Sequence, residues 1–108
     1  MEVLATNQAT VAGRFVHTIG ACLFQSGNDM TLELTGTSDD DTRTTTFHVY
    51  SANPPKAIQG LIFLMKRDLK HLVDHATGGF LIGDLKERGI VVSKLTYSSK
   101  TYGWTRTY

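Results

Sequence analysis

The segment NPPKAIQGLIFLMKRDLKHLVDHATGG, residues 53–79, constrains this chain more than any other stretch. Ile58, Leu61, Ile62, Met65, Leu69, Leu72, Val73 and Ala76 recur at the three- and four-residue spacing of a single helical face. Lys66, Arg67, Lys70 and His71 fall on the other side, where a solvated face would place them. Asn53 is positioned to cap this helix, Pro54 suits its first turn, and Gly78-Gly79 can supply a left-handed C-terminal cap. A helix with one apolar stripe has to bury that stripe against another element. Most of the remaining chain reads as strand.

TVAGRFVHTIGACLF, residues 10–24, sets Val11, Phe15 and Ile19 on one parity, with Gly13 and Gly20 as candidate bulge points. MTLEL alternates Met30, Leu32 and Leu34 against Thr31 and Glu33, the pattern of a half-buried strand. TSDDDT turns the chain, and RTTTFHVYSA returns as a third strand with Phe47 and Val49 on one face. After the helix, FLIGDLKERG fits either a strand or a short helical turn. IVVSKLTY is a strand by its β-branched run, and TYGWTRTY can pair back across SSK. The expected fold is α+β, one domain over residues 1–108. Its mostly antiparallel sheet would have five or six strands, open or barrel-like, with one amphipathic helix between the third and fourth strands.

Composition bounds the function. At 108 residues and 41% hydrophobic content, the chain can bury one modest core. A net charge of +1 is low for a protein built around a polyanion, so any nucleic-acid role must rest on a local patch. Threonine is the commonest residue, which favours strands and turns. The single cysteine, Cys22, excludes an intrachain disulfide and, between Ala21 and Leu23, reads as a small buried hydrophobe. MEVLATNQAT lacks the basic and long apolar regions of a signal peptide, and the longest apolar run, LIFLM, is too short to cross a bilayer. The expectation is a soluble protein of a reducing compartment, the cytoplasm, or a host cytoplasm or virion if the source is viral. No membrane partner is expected.

No catalytic constellation is legible. His71 and His75 have metal-ligand spacing, but the general base of a helical zinc-protease motif is replaced by Leu72, and no third ligand lies nearby. His17 and His48 sit on strands far away in sequence. Asp39-Asp40-Asp41 lacks the alternating oxygen donors, central glycine and distal glutamate of a calcium loop. GTSDDD and GGFLIG lack the Lys-Ser/Thr of a phosphate loop. We read no enzyme, no cofactor and no metal.

The stretch KLTYSSKTYGWTRTY carries four aromatic and three cationic residues and no acid. As an extended strand it would put Tyr102, Trp104, Arg106 and Tyr108 on one face. Rings interleaved with a guanidinium suit stacking on unpaired bases, and equally suit burial with the arginine reaching outward.

Several short stretches resemble the bacterial single-stranded DNA-binding protein family, whose oligonucleotide-binding fold runs three strands, a helix and two strands. VAGRF is similar to that family's opening G-R-L strand, and Ser26-Gly27 falls near its Ser-Gly turn. MTLEL and TTTFHVYSA resemble its second and third strands, and ERGIVVSKLTY resembles its K-G-x-x-V-x-V-x-G-x-L stretch. The resemblance implies sequence-tolerant binding of single-stranded nucleic acid. Tyr50 would stand at the aromatic position ending the third strand and Tyr97 at the one opening the last loop. Phe24, Tyr102 and Trp104 would extend the stacking platform, and Arg14, Lys94, Lys100 and Arg106 would contact phosphates.

The alternative is a small viral structural or interaction protein, a virion subunit or an inhibitor of a host defence complex. It would act through protein–protein contacts, with exposed strands adding to a partner's sheet edge. Under either reading a homo-oligomer or a protein partner is expected.

Overall fold

The computed structural model describes residues 2–10, 18–26, 29–67, 69–75 and 80–108. Among these, six strands and three helices follow the order β1 (Glu2–Thr10), β2 (Thr18–Ser26), β3 (Asp29–Thr37), β4 (Thr42–Ser51), α1 (Pro54–Arg67), α2 (Leu69–His75), α3 (Phe80–Glu87), β5 (Ile90–Ser99) and β6 (Thr105–Thr107). The strands form one antiparallel sheet in which every strand pairs with its neighbour in sequence. β1 and β6 are its two edges, so the sheet is open and does not close into a barrel. None of the described helices is long and apolar enough to cross a membrane.

Alternation decides the faces. Ile19, Ala21 and Leu23 on β2, Met30, Leu32 and Leu34 on β3, and Phe47 and Val49 on β4 are buried on one face. Antiparallel partners share a face, and the registers Leu23↔Leu32↔Phe47↔Leu95 line these residues into rows. The helices lie on those rows: Ala57, Leu61 and Met65 of α1, Leu69 and Leu72 of α2, and Leu81 and Leu85 of α3 complete the core. The other face is left open and is lined with threonine, as expected of an antiparallel sheet solvated on one side.

Two expectations are corrected: the placement of the helix, which follows β4 rather than the third strand, and the bulge at Gly20. The opening segment, unassigned from sequence, is an edge strand. The stretch expected as a helix over residues 53–79 is helical at 54–67 (α1) and 69–75 (α2), with Leu61, Met65, Leu69 and Leu72 buried as its spacing predicts. The ambiguous FLIGDLKERG becomes α3, with Gly89 in the left-handed region (φ 76°) closing it through a bond from its N–H to the Lys86 carbonyl at 3.0 Å. Gly20 keeps the β1–β2 and β2–β3 registers continuous and marks no bulge. The N-terminal cap forms as expected: the Asn53 side-chain oxygen accepts from the Lys56 N–H at 3.3 Å, with Pro54 opening α1. Val11, Gly13, Phe15, His17, Ala76 and Gly78-Gly79 lie outside the described residues.

One register slip shapes everything that follows. Val49 pairs with Val92 but His48 pairs with Lys94, so Ser93 is an extra residue on β5, its hydroxyl donating to the His48 carbonyl at 3.1 Å. Apolar positions in β5 run Ile90 and Val92, then Leu95 and Tyr97. The change from even to odd numbers needs one inserted residue if all are to face the helices. The bulge therefore turns Tyr97 towards the helix-bearing side.

Candidate functional site

The helices cover β1 to β4 and the start of β5. Beyond them the same face continues over the beginning of β4, the end of β5, and β6. The pairs Thr45↔Tyr97 and Tyr97↔Arg106 align three side chains across it. Two further backbone pairings, Ser99 with Trp104 and Leu95 with Tyr108, put Trp104 and Tyr108 on the same side. Together with Arg43, these residues wall a cleft of about 120 Å³. That is far below the roughly 300–1,000 Å³ of small-molecule sites, and leaves room for little more than one flat ring.

The rings inside it are already organised. Tyr97 and Tyr108 meet edge to face, with centroids 5.6 Å apart and planes inclined by 75°. The Arg106 guanidinium lies 5.2 Å from the centre of the Trp104 ring. Burial pushes the Tyr97 phenol above its ordinary pKa, and the neighbouring Tyr108 adds to the shift. Trp104 is half-buried while Arg106 and Tyr108 are exposed, so the cleft opens to solvent.

A buried carboxylate fixes the loop that carries this cluster. Asp41 accepts from the Ser99 hydroxyl at 2.8 and 2.9 Å, from the Thr42 N–H at 2.8 Å, from the Thr101 N–H at 3.1 Å and from Arg43 Nε at 3.2 Å. Burial alone would raise its pKa. The bonds from Ser99, Thr101, Arg43 and Thr42 outweigh that and lower it to about 2. The loop closes through Gly103, left-handed at φ 67°, whose N–H bonds the Ser99 carbonyl at 3.0 Å.

The residues named from sequence are divided by this geometry. Tyr97, Trp104 and Arg106 converge at the cleft. Lys100 and Tyr102 are exposed on the adjoining loop, and Tyr97 sits within β5 rather than at the loop's start. Phe24, Tyr50 and Lys94 lie on the opposite, open face. There the row Phe24↔Thr31↔His48↔Lys94 crosses four strands, and Tyr50 pairs with Val91. Arg14 lies outside the described residues. Tyr102 leaves the face shared by Trp104, Arg106 and Tyr108, because it falls in the turn. Arg43, Thr45 and Asp41 were missed from sequence: their roles depend on pairings with residues more than fifty positions away.

The open face holds a wider hollow of about 420 Å³ over β1, β2 and β3, with Gln8, Cys22, Glu33 and Thr35 in its lining. Cys22 is half-buried there rather than in the core. Burial, then the Glu33 charge, raises its thiol pKa and so suppresses the thiolate. A carboxylate in the hollow opposes phosphate. Among the described residues no three His, Cys, Asp or Glu side chains gather as metal ligands would. Comparison with protein-family models, with curated proteins and with solved structures returns no match.

Proposed function

We propose that this protein is a non-catalytic binder of single-stranded nucleic acid, with the cleft of Tyr97, Trp104, Arg106 and Tyr108 as its contact site. The observation that carries this reading is the convergence of three rings and two guanidiniums on one small, open cleft. A base inserted there would stack on an aromatic face, at about 1–3 kcal/mol per stacked base. Arg106 and Arg43 would flank it, and Lys100 is exposed on the adjoining loop. Arg43 is shared with Asp41, which lowers its charge towards a phosphate but holds its guanidinium in place. Among the described residues no acid lines the cleft, in contrast to the Glu33 hollow on the other face.

Trp104 is the only tryptophan, so its emission reports the site directly. Titration with oligo-dT at low salt is expected to quench it. The quenching should weaken with salt, with a slope of about −0.7 per phosphate contacted. Arg106→Ala should weaken binding by about five- to thirty-fold, in line with about 1–2 kcal/mol for a cation at such a site. Unchanged emission from folded protein at low salt would sink the proposal.

A second reading, a protein-binding subunit such as a virion component or an inhibitor of a host complex, is favoured by a separate patch. Tyr50 and Val91 are cross-strand neighbours on the open face, exposed by 61% and 52%. Exposed large side chains placed side by side suit a protein contact. Loss of partner capture in Tyr50→Ser, with oligo-dT binding intact, would separate the two.

A further inference from the structure

The two edges of the sheet are unequal. β6 ends one side with three residues, whereas β1 ends the other with nine. A long edge strand presents a row of unpaired N–H and C=O groups, and chains usually blunt such an edge with lysine, proline or pronounced bulging. From Leu4 to Thr10, β1 contains no charged residue and no proline, and its register slip lies back at Val3/Ala5.

The direction of its free groups can be read. The Asn7 carbonyl oxygen faces the position a Gly20 Cβ would take, at 3.7 Å, so Asn7 points its backbone at β2. The next N–H, that of Gln8, is held by the Asn7 side chain at 2.9 Å. Alternation along a strand then turns the backbone groups of Thr6, Gln8 and Thr10 outward. Alongside them, Leu4, Ala5 and Ala9 pack on the core yet stay only half-buried. An added strand would cover that apolar seam and pair the groups of the row that remain, the Gln8 N–H being already held by Asn7.

We propose that the occupant of this edge is a second copy of the chain, pairing β1 antiparallel with β1 about a two-fold axis near Thr6. Antiparallel self-pairing is self-complementary and closes at two copies, with both helical layers on the same side of a continuous sheet. A register centred on Thr6 keeps Glu2, the strand's one charge, at the far end of the pair and away from the partner's Glu2. The chain's net charge of +1 sets up little repulsion between copies.

Light scattering of the full chain at tens of micromolar should give twice the 11.9 kDa monomer mass. Thr6→Pro removes an outward N–H and leaves the β1–β2 ladder intact, so it should yield a folded monomer with a nearly unchanged circular dichroism spectrum. Ala5→Pro, of inward parity, should instead lower the melting temperature. Thr6→Lys sets two lysines face to face across the axis and offers an independent test should the proline variant fail to fold. A wild-type mass of one chain at that concentration would overturn the proposal. So would larger assemblies, or a dimer that persists in folded Thr6→Lys.

Discussion

Asp39, Asp40 and Asp41 are chemically equal in the sequence and unequal in the fold. The first two are exposed on the β3–β4 turn, while Asp41 is buried and collects donors from Thr42, Arg43, Ser99 and Thr101. Nothing within the DDD run separates them, because the distinguishing partner, Ser99, is 58 residues away. The carboxylate ties the β3–β4 turn to the β5–β6 loop, and hence to Trp104. Its folded pKa of about 2 lies below the ordinary 3.8, so folding is favoured by the ionised form. That stabilisation is complete above about pH 4 and is lost as pH falls towards 2. Denaturation midpoints at pH 5, 3 and 2 should show Asp41→Asn less stable than wild type at pH 5, with the gap closing as the acid is protonated. A gap unchanged between pH 5 and pH 2 would contradict this assignment. In the core, Phe47 is fully buried beneath the helices, and Phe47→Ala should cost about 3–5 kcal/mol by urea unfolding.

At the scale of elements, the apolar stripe of residues 58–73 was legible because helical periodicity is a local signal. Leu61, Met65, Leu69 and Leu72 are buried as that spacing requires. The alternation of β3 and of β4 was legible for the same reason. β1 was not, since EVLATNQAT carries few large apolar residues, and an edge strand needs few. Neither was the orientation of the C-terminal rings, which depends on Ser93 bulging from β5 and is visible only once His48 and Val49 are placed beside it. The cleft was therefore half legible: the face shared by Trp104, Arg106 and Tyr108 could be read, but not that it lies on the helix-bearing side, nor the arginine from β4 that joins them. Asn7 makes the matching link on the far side, donating to the Met65 carbonyl near the end of α1 at 2.8 Å. The turn from α3 into β5 supplies a test at this scale. Gly89→Ala places a Cβ on left-handed backbone and should cost about 1–2 kcal/mol in thermal or chemical melts, with space around the residue otherwise open.

Across the whole molecule, stability should follow position in the sheet. β3 and β4 have a strand on each side and the apolar core beneath, while β1 and β6 have a partner on one side within the chain. Amide exchange measured at concentrations where the chain is monomeric should be slowest in β3 and β4 and fastest in β6. Faster exchange in β4 than in β6 would contradict that order.

The order of elements also sets the order in which this protein is made. Four strands, β1 to β4, leave the ribosome before any helix does, and each can pair with the one before it. Their apolar side, with Ile19, Leu23, Leu32 and Phe47, then has no cover until residues 54–87 have followed. At about 5–20 residues per second those 34 residues take roughly 2–7 s to synthesise. A sheet formed in that interval would stand with its apolar side bare and its long edge unprotected. Translation speed and chaperone access would then bear on the protein's yield alongside final stability.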